Sequence, residues 1–172
     1  FSLTFSGMAL GADEYKVGIS IPSADHGWTG GFVWWAEQAV KDLSDKYSNV
    51  TFELTTAGSA SEQVRDVEDL MIKEIDALVI NPHNSSSLTP VVEQAKSEGI
   101  YVVSVDRGLT KNVEDVYVAG DNPGFGQAAA EFIANRLNGE GKILVIEGVP
   151  SVINKERVNG FENAMKEYLD IE

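Results

Sequence analysis

An acidic and a basic residue stand side by side where a predicted strand ends. Asp106 and Arg107 directly follow the apolar run Tyr101–Val105, so neither charge is an ordinary mid-strand surface residue. A carboxylate accepts hydrogen bonds from hydroxyl groups, and a guanidinium presents a planar fork of donors. We therefore expect this pair to bind a ligand rich in hydroxyls. The alternatives are a structural ion pair or an Asp that caps the following turn.

The loop after the first predicted strand adds an aromatic group. Trp28 stands among glycines directly before a predicted helix, a setting that suits a ring projecting into a cleft. An aromatic face covers the apolar side of a sugar ring. The alternative is that Trp28 packs against the protein at the start of the helix, in the same kind of role as Trp35. Trp34 and Trp35 lie inside the helical pattern and are expected in the core or on the helix surface.

Polar loops follow each of the first five predicted strands. Because ligands of open α/β sheets bind beyond the carboxyl ends of the strands, these loops are expected to meet at one edge. Their carboxylates, amides and aromatic candidate suit a polyhydroxylated ligand. The loops are Ser23–Thr29, Ala57–Gly58, Asn81–Asn84, Asp106–Gly108 and Gly120–Asn122.

Hydrophobic periodicity predicts the elements that position these loops. Strands and helices alternate, which predicts a doubly wound parallel α/β sheet with the strand order 2-1-3-4-5. The predicted strands are KVGISIP ending at Pro22, Val50–Leu54, Ile75–Ile80, Tyr101–Val105 and Val116–Ala119. The predicted helices run from about Gly31 to Lys46, after a capping box at Ser59–Glu62, and from Leu88 to Ser97. The buried face of the first helix is predicted to hold Phe32, Trp35, Ala36, Ala39, Val40 and Leu43.

A second, incomplete α/β unit is predicted after a crossing. Residues 15–119 form the first lobe, 120–123 a hinge crossing and 124–172 part of a second lobe, with one strand at Lys142–Ile146. One helix face is predicted to hold Phe125, Ala128, Ala129, Phe132, Ile133 and Leu137, and the other Val158, Phe161, Met165 and Leu169.

Both ends of the chain look clipped. Residues 1–12 are apolar, small and uncharged, which is typical of the tail of an export signal that peptidase would remove before Ala12. The alternative is a flexible N-terminal extension. At the other end, Leu169–Glu172 stops where a further strand would begin.

Composition excludes several classes of function. The formal net charge is −14, which disfavours binding to nucleic acid or to an anionic membrane surface. No Cys and two His leave little material for a metal site, although His26 and His83 with an Asp are conceivable. The glycine-rich stretches match no nucleotide-binding loop, and no nucleophile elbow is present. We therefore expect no cofactor, no metal and no catalysis.

Four stretches together resemble the ribose-type periplasmic sugar-binding proteins of ABC transporters. They are KVGISIPSADHGWTGGF, IDALVINP, VVSVDR followed by VAGDN, and KERVNGF, and the resemblance covers residues 15–172. It implies a two-lobed fold that binds a monosaccharide or polyol in the cleft between lobes and delivers it to a membrane permease. A periplasmic monomer is expected.

The resemblance also implies site residues. Asp106 and Arg107 match the family's Asp-Arg pair without change, and Arg157 matches an Arg that reaches the ligand from the second lobe. By position, His26, Trp28 and Thr29 match an amide and two aromatic residues that hold the sugar. His for an amide and Thr for an aromatic are departures, so the identity of the sugar is left open, and His26 is expected to tune specificity.

Two rival functions remain. An effector domain of a lac-repressor-like regulator shares this fold, but it would carry a basic DNA-binding segment before the first strand. An α/β enzyme would need a nucleophile with a base, or a metal site. The upstream sequence separates the first rival from the transport protein, and a turnover assay separates the second.

Overall fold

The first unit of the computed structural model is a five-stranded parallel sheet with helices on both faces. The structure describes residues 13–148 and 151–172. The elements in chain order are β1 (Tyr15–Pro22), α1 (Gly27–Lys46), β2 (Val50–Ala57), α2 (Ala60–Ile72), β3 (Ala77–Ile80), α3 (Ser85–Ser97), β4 (Tyr101–Val105) and β5 (Val116–Val118). The strand order is β2-β1-β3-β4-β5, which confirms the predicted doubly wound topology.

The directions of the strand crossovers explain which face of the sheet carries the core. The crossover from β1 to β2 runs the opposite way from those that follow, and right-handed crossovers therefore place α1 on one face and α2 and α3 on the other. The contiguous core lies under α2 and α3. Its members are Val67, Leu70, Met71, Ile75, Leu78, Ile80, Leu88, Val91, Val92, Ala95, Ile100, Val102 and Leu109.

Short polar side chains start α2 and α3. The Ser59 hydroxyl accepts a hydrogen bond from the Glu62 amide, and the Asn84 side chain accepts one from the Ser87 amide. Each satisfies an amide that has no partner inside the helix. Because Asn84 is the cap, α3 begins at Ser85 and not at the predicted Leu88, and the serine run forms its first turn.

Two further boundaries differ from prediction by three or four residues. Helix α1 begins at Gly27, four residues before the predicted Gly31, because the Thr29 side chain caps it by accepting a hydrogen bond from the His26 amide. Strand β2 continues to Ala57 and not to Leu54, since it pairs with β1 along its whole length, from Tyr15–Val50 to Pro22–Ala57.

The second unit consists of two packed helices and a short ladder. Its elements are α4 (Asn122–Arg136), β6 (Glu140–Gly141), α5 (Val152–Met165) and β7 (Asp170–Ile171). Two glycines bring α4 and α5 into close contact: a Cβ on Gly126 would overlap the Arg157 backbone, and one on Gly160 would overlap the Pro123 backbone. Small residues therefore set the distance between these helices.

The strand predicted at Lys142–Ile146 does not form in the described residues. Only Glu140 and Gly141 pair, with Asp170 and Ile171. The ladder ends after two further bonds, from the Glu172 amide to the Gly141 carbonyl and from the Ile143 amide to the Glu172 carbonyl. Strand propensity needs a neighbouring strand, and beyond this point the described residues supply none. Leu169 also lies outside α5 and is exposed, so its predicted place on that helix face is wrong.

The predicted apolar helix faces are only partly buried. On α1, Phe32, Ala36 and Val40 are partly covered, but Trp35 and Leu43 are exposed. On α4 the contact with α5 is made by a row of small residues, and the predicted aromatic face is open, with Phe125 60% and Phe132 64% exposed. The buried positions of α4 are Asn122, Gly126, Ala130 and Ala134.

The predicted export-signal remnant, residues 1–12, lies outside the described residues. Among the described helices, none combines the length and the apolar character that crossing a bilayer requires.

Candidate functional site

The loop between β1 and α1 is organised by one buried hydroxyl. Thr29 is only 3% exposed, and its Oγ1 accepts hydrogen bonds from the Asp25 and His26 amides, both 3.1 Å away. The same hydroxyl lies 2.7 Å from Asp25 Oδ1, to which it donates, and this bond is the largest cause of a lowered pKa at Asp25. Thr29 therefore shapes the loop from inside.

His26 and Trp28 present their side chains to solvent at this loop. His26 is the cap residue of α1, and its Nε2 lies 3.5 Å from Asp25 Oδ1. Trp28 is the second residue of α1 and is 60% exposed, so it is not a packing residue at the helix start within the described structure. Both remain available to a ligand.

Asp106 stands at the end of β4 in an unusual backbone conformation. Its φ is 63°, in the left-handed region, where Asp and Asn are enriched among residues other than glycine. The backbone is held on both sides: the Asp106 amide donates to the Val118 carbonyl, and the Tyr117 hydroxyl donates to the Asp106 carbonyl. Among the described residues, no hydrogen bond or ion pair engages the Asp106 carboxylate.

Among the described residues, the Arg107 guanidinium is anchored through one of its nitrogens only. Its Nη1 donates to the His83 carbonyl at 3.1 Å and to the Pro82 carbonyl at 3.4 Å. A guanidinium has five N–H donors in a fixed plane, so further donors remain for another partner. The described residues show no ion pair between Asp106 and Arg107, so that alternative from the sequence is not what the structure contains.

The strand-end loops meet at one edge of the sheet. The Asn81 amide, directly after β3, donates to the Ser20 carbonyl near the end of β1 at 3.1 Å. The carbonyl of His83 also binds Arg107, after β4. The Ser85 hydroxyl donates to the Gly108 carbonyl at 2.7 Å. Three of the predicted loops therefore form one continuous surface.

Arg157 lies in the second unit, in the second turn of α5. Its Nε donates to Asn122 Oδ1 at 2.9 Å, and its guanidinium lies over the Phe125 ring, 4.6 Å from the centroid. The Asn122 amide group also donates to Glu156 at 3.2 Å. The buried Asn122 thus ties the crossing segment to α5, where Arg157 is held on an aromatic face.

Tyr117 on β5 links the two units electrostatically. Burial raises its pKa, and the nearby carboxylates of Glu156 and Asp106 raise it further. Glu156 belongs to α5 and Asp106 to the end of β4, so carboxylates from both units act on the Tyr117 hydroxyl.

One cavity among the described residues lies in the second unit. It has a volume of about 420 Å³ and is lined by α4, α5 and the segment Val145–Gly148, with Phe125, Phe161 and Arg157 in its wall. None of its lining residues belongs to the strand-end loops of the first sheet. The Asp106 carboxylate and the anchored Arg107 guanidinium lie at those loops and not in this cavity.

Three residues that matter here were not predicted from the sequence. The sequence predicts Tyr117 only as a strand residue, and Asn122 as part of a strand-end loop and of the crossing, and no pattern in the sequence marks their partners. Gln63 carried a usable signal: it falls on the apolar face of α2, four residues before Val67 and seven before Leu70. A polar residue at such a position is expected to have a specific buried partner.

No group of three metal-ligating side chains occurs in the part of the chain that the structure describes.

Known proteins share both the sequence and the fold. The family model described as "Periplasmic binding protein domain" matches residues 17–172. The ribose import binding protein RbsB of Bacillus subtilis is 33% identical over 159 residues, which are 92% of this chain and 51% of that protein. The D-ribose/D-allose-binding protein of Pseudomonas aeruginosa is 33% identical over 132 residues, 73% of this chain and 41% of that protein.

A solved structure agrees. The fructose-binding periplasmic domain of a hybrid two-component system superposes with a TM-score of 0.81 at 29% identity, over 92% of this chain and 52% of that one. The chain spans about half the length of the curated relatives it matches. With the strand order, the strand-end loops and the family match in agreement, the chain belongs to the periplasmic binding protein domain family.

Proposed function

We propose that this chain is part of a solute receptor that binds a monosaccharide or polyol and passes it to the permease of an ABC transporter. The observation that carries the proposal is the pairing at the end of β4 of a carboxylate with no partner among the described residues and a guanidinium anchored by two carbonyls. Such a pair is prepared for neutral hydroxyls, which both accept and donate. The names of the relatives, which bind ribose, allose or fructose, support this class of ligand.

Each site residue has a distinct part in this proposal. Asp106 accepts from ligand hydroxyls, Arg107 donates to them, and the exposed Trp28 ring covers the apolar face of the sugar. His26, beside Trp28, contributes to the choice of sugar. We assign Thr29 to the shape of the loop, because its hydroxyl is already committed to Asp25 and His26.

The second unit supplies the opposing wall. Residues 15–119 form the first lobe, 120–123 the crossing and 124–172 part of the second lobe. Closure about a hinge brings contacts from both sides of a cleft to one ligand. Arg157, held against Asn122 and Phe125 near the crossing, is the residue through which α5 reaches the sugar.

The proposed setting is the periplasm, with the receptor acting as a monomer and without catalysis. The relatives reported above are named as binding proteins, not as enzymes. A second candidate for the partner is a hybrid two-component system, because the solved structure at 29% identity is the fructose-binding periplasmic domain of such a system. In both cases the ligand site is the same.

A ligand screen tests the proposal. The full-length protein is heated with D-ribose, D-xylose, D-allose, D-fructose and myo-inositol, each compound is scored by its shift of the unfolding temperature, and positives are titrated by calorimetry. We expect at least one to raise the unfolding temperature, since a ligand that binds only the folded state stabilises it. No shift and no heat with any pentose, hexose or polyol contradicts the proposal, and steady conversion of a bound sugar contradicts its non-catalytic part.

A further inference from the structure

Gln63 is a buried amide beneath the strand-end loops. It lies near the start of α2 and is fully buried, with 0% exposure. Its Nε2 donates to the Asn81 carbonyl at 2.9 Å and to the Ser20 carbonyl at 3.1 Å. Its Oε1 accepts from the His83 amide at 2.6 Å. One side chain thus holds the end of β1 and both ends of the segment Asn81–His83.

The segment that Gln63 holds is the same one that anchors Arg107. The carbonyls of Pro82 and His83 accept from Arg107 Nη1. The connection therefore runs from Gln63 through a short backbone segment to the guanidinium. Among the described residues, these two carbonyls are the only hydrogen-bond partners of the Arg107 side chain, so its direction depends on where Asn81–His83 is held.

We propose that Gln63 is a positioning residue for ligand binding, which fixes the segment Asn81–His83 and through it the orientation of Arg107 toward the sugar. This inference rests on the proposed function. A merely structural role would make Gln63 important for stability only. A positioning role requires that sugar affinity change when the fold is retained.

A charged substitution separates these roles. In Gln63→Glu a carboxylate would face the carbonyls of Ser20 and Asn81, and acceptor opposite acceptor is repulsive. When protonated, the same group again has an O–H to donate. Sugar affinity of Q63E should therefore be at least about tenfold weaker than wild type at pH 7.5, and the deficit should shrink as the pH is lowered toward 5. Gln63→Met, similar in length and uncharged, should weaken binding at both pH values alike.

Val67→Ala is the matched control. Val67 lies one turn later on the same helix and is fully buried, but it packs in the apolar core and makes no contact with Asn81–His83 through hydrogen bonds. It should lower the unfolding temperature while leaving affinity within about twofold of wild type. All four proteins are assayed at full length by calorimetric titration with the sugar that binds wild type most tightly among those named above.

The outcomes are distinguishable. Wild-type binding together with unchanged affinity and pH profile in Q63E and Q63M overturns the positioning role alone. If Q63E does not fold, the affinity of Q63M decides: wild-type affinity overturns the role, and a loss well beyond that of V67A supports it. Failure of wild type to bind any of the sugars overturns the proposed function and this inference with it.

Discussion

The Tyr117 hydroxyl donates a hydrogen bond to the backbone carbonyl of Asp106, 2.9 Å away, and so braces a strand-end residue whose φ is 63°. The amide of Asp106 is held at the same time by the Val118 carbonyl at 2.8 Å. A residue in this region of φ and ψ persists when its surroundings fix it, and such positions cluster at ligand sites. The two bonds fix the backbone from which the Asp106 side chain projects.

Substitutions at Asp106 should separate backbone strain from ligand contact. Asp106→Asn should keep stability within about 0.5 kcal/mol, because Asn also tolerates the left-handed region. Asp106→Ala should be less stable than Asp106→Gly by about 1–2 kcal/mol, since a Cβ is strained there and glycine is not. All three should bind sugar at least about tenfold more weakly, because the charged acceptor is gone. Urea unfolding and calorimetric titration give the two quantities, and wild-type affinity in the Asn and Gly variants would show that the carboxylate does not contact the ligand.

Removing the Thr29 hydroxyl should loosen the first loop. Thr29→Val leaves the Asp25 and His26 amides without the buried hydroxyl that accepts from them. Because both residues are exposed, the cost in the free energy of unfolding should be about 0.5–1.5 kcal/mol. The pKa of Asp25 should rise toward its ordinary value, because the bond from Thr29 is the main cause that lowers it. Thr29→Ser keeps the hydroxyl and is the control. An NMR titration of the Asp25 carboxyl measures the effect, and an unchanged pKa in the Val variant would contradict it.

The contact between α4 and α5 should not accept a methyl group at Gly126. A Cβ there overlaps the carbonyl of Arg157, so Gly126→Ala must push the helices apart, at about 1–3 kcal/mol. Gly31→Ala in α1 is the matched control: nothing lies within 4 Å of its Cβ, and it should stabilise by about 0.5–1 kcal/mol. Thermal unfolding of the two variants should move in opposite directions. Equal shifts of the same sign would mean that the helices do not pack as closely as described.

Acid should weaken the contact between α3 and the edge of the sheet, which Lys96 and Asp115 make. The pKa of Asp115 is lowered from 3.8, first by the hydrogen bond from Lys96 and then by that from the Val102 amide. A carboxyl with a lowered pKa in the folded state stabilises above its unfolded pKa, and this contribution is lost as the pH falls through the folded value. Asp115→Asn should therefore reduce stability at pH 7 and flatten its decline below about pH 4. Urea unfolding between pH 7 and pH 2.5 tests this, with Asp45→Asn, an exposed α1 residue, as control.

Sequence reasoning succeeded where local pattern and topology coincide. Strand β4 matches its predicted bounds, Tyr101–Val105, because an unbroken apolar run buried in a parallel sheet ends sharply at Asp106. It failed at Lys142–Ile146, where the composition favours a strand but the ladder with β7 ends after Ile143. Pairing is a property of two segments, and one segment cannot reveal it.

The positions of the candidate site residues were predictable from the sequence, but their hydrogen-bond partners were not. Charges directly after a buried strand marked Asp106 and Arg107, since few structural roles place them there. The carbonyls that anchor Arg107 were not predictable, because every residue has a carbonyl and only the fold decides which ones converge. Thr29 shows the opposite case. The sequence predicted it as a ligand-binding residue, but in the structure its hydroxyl is buried and makes its hydrogen bonds within the loop.

The central claim is that a sugar binds at the carboxyl edge of the first sheet, and a crystal structure of the full-length protein with its best-binding sugar tests it most directly. The account predicts sugar hydroxyls within about 2.7–3.2 Å of the Asp106 carboxylate and of the free Arg107 donors. It also predicts the Trp28 ring stacked on the apolar face of the sugar. A sugar bound without contact to either Asp106 or Arg107 would contradict it.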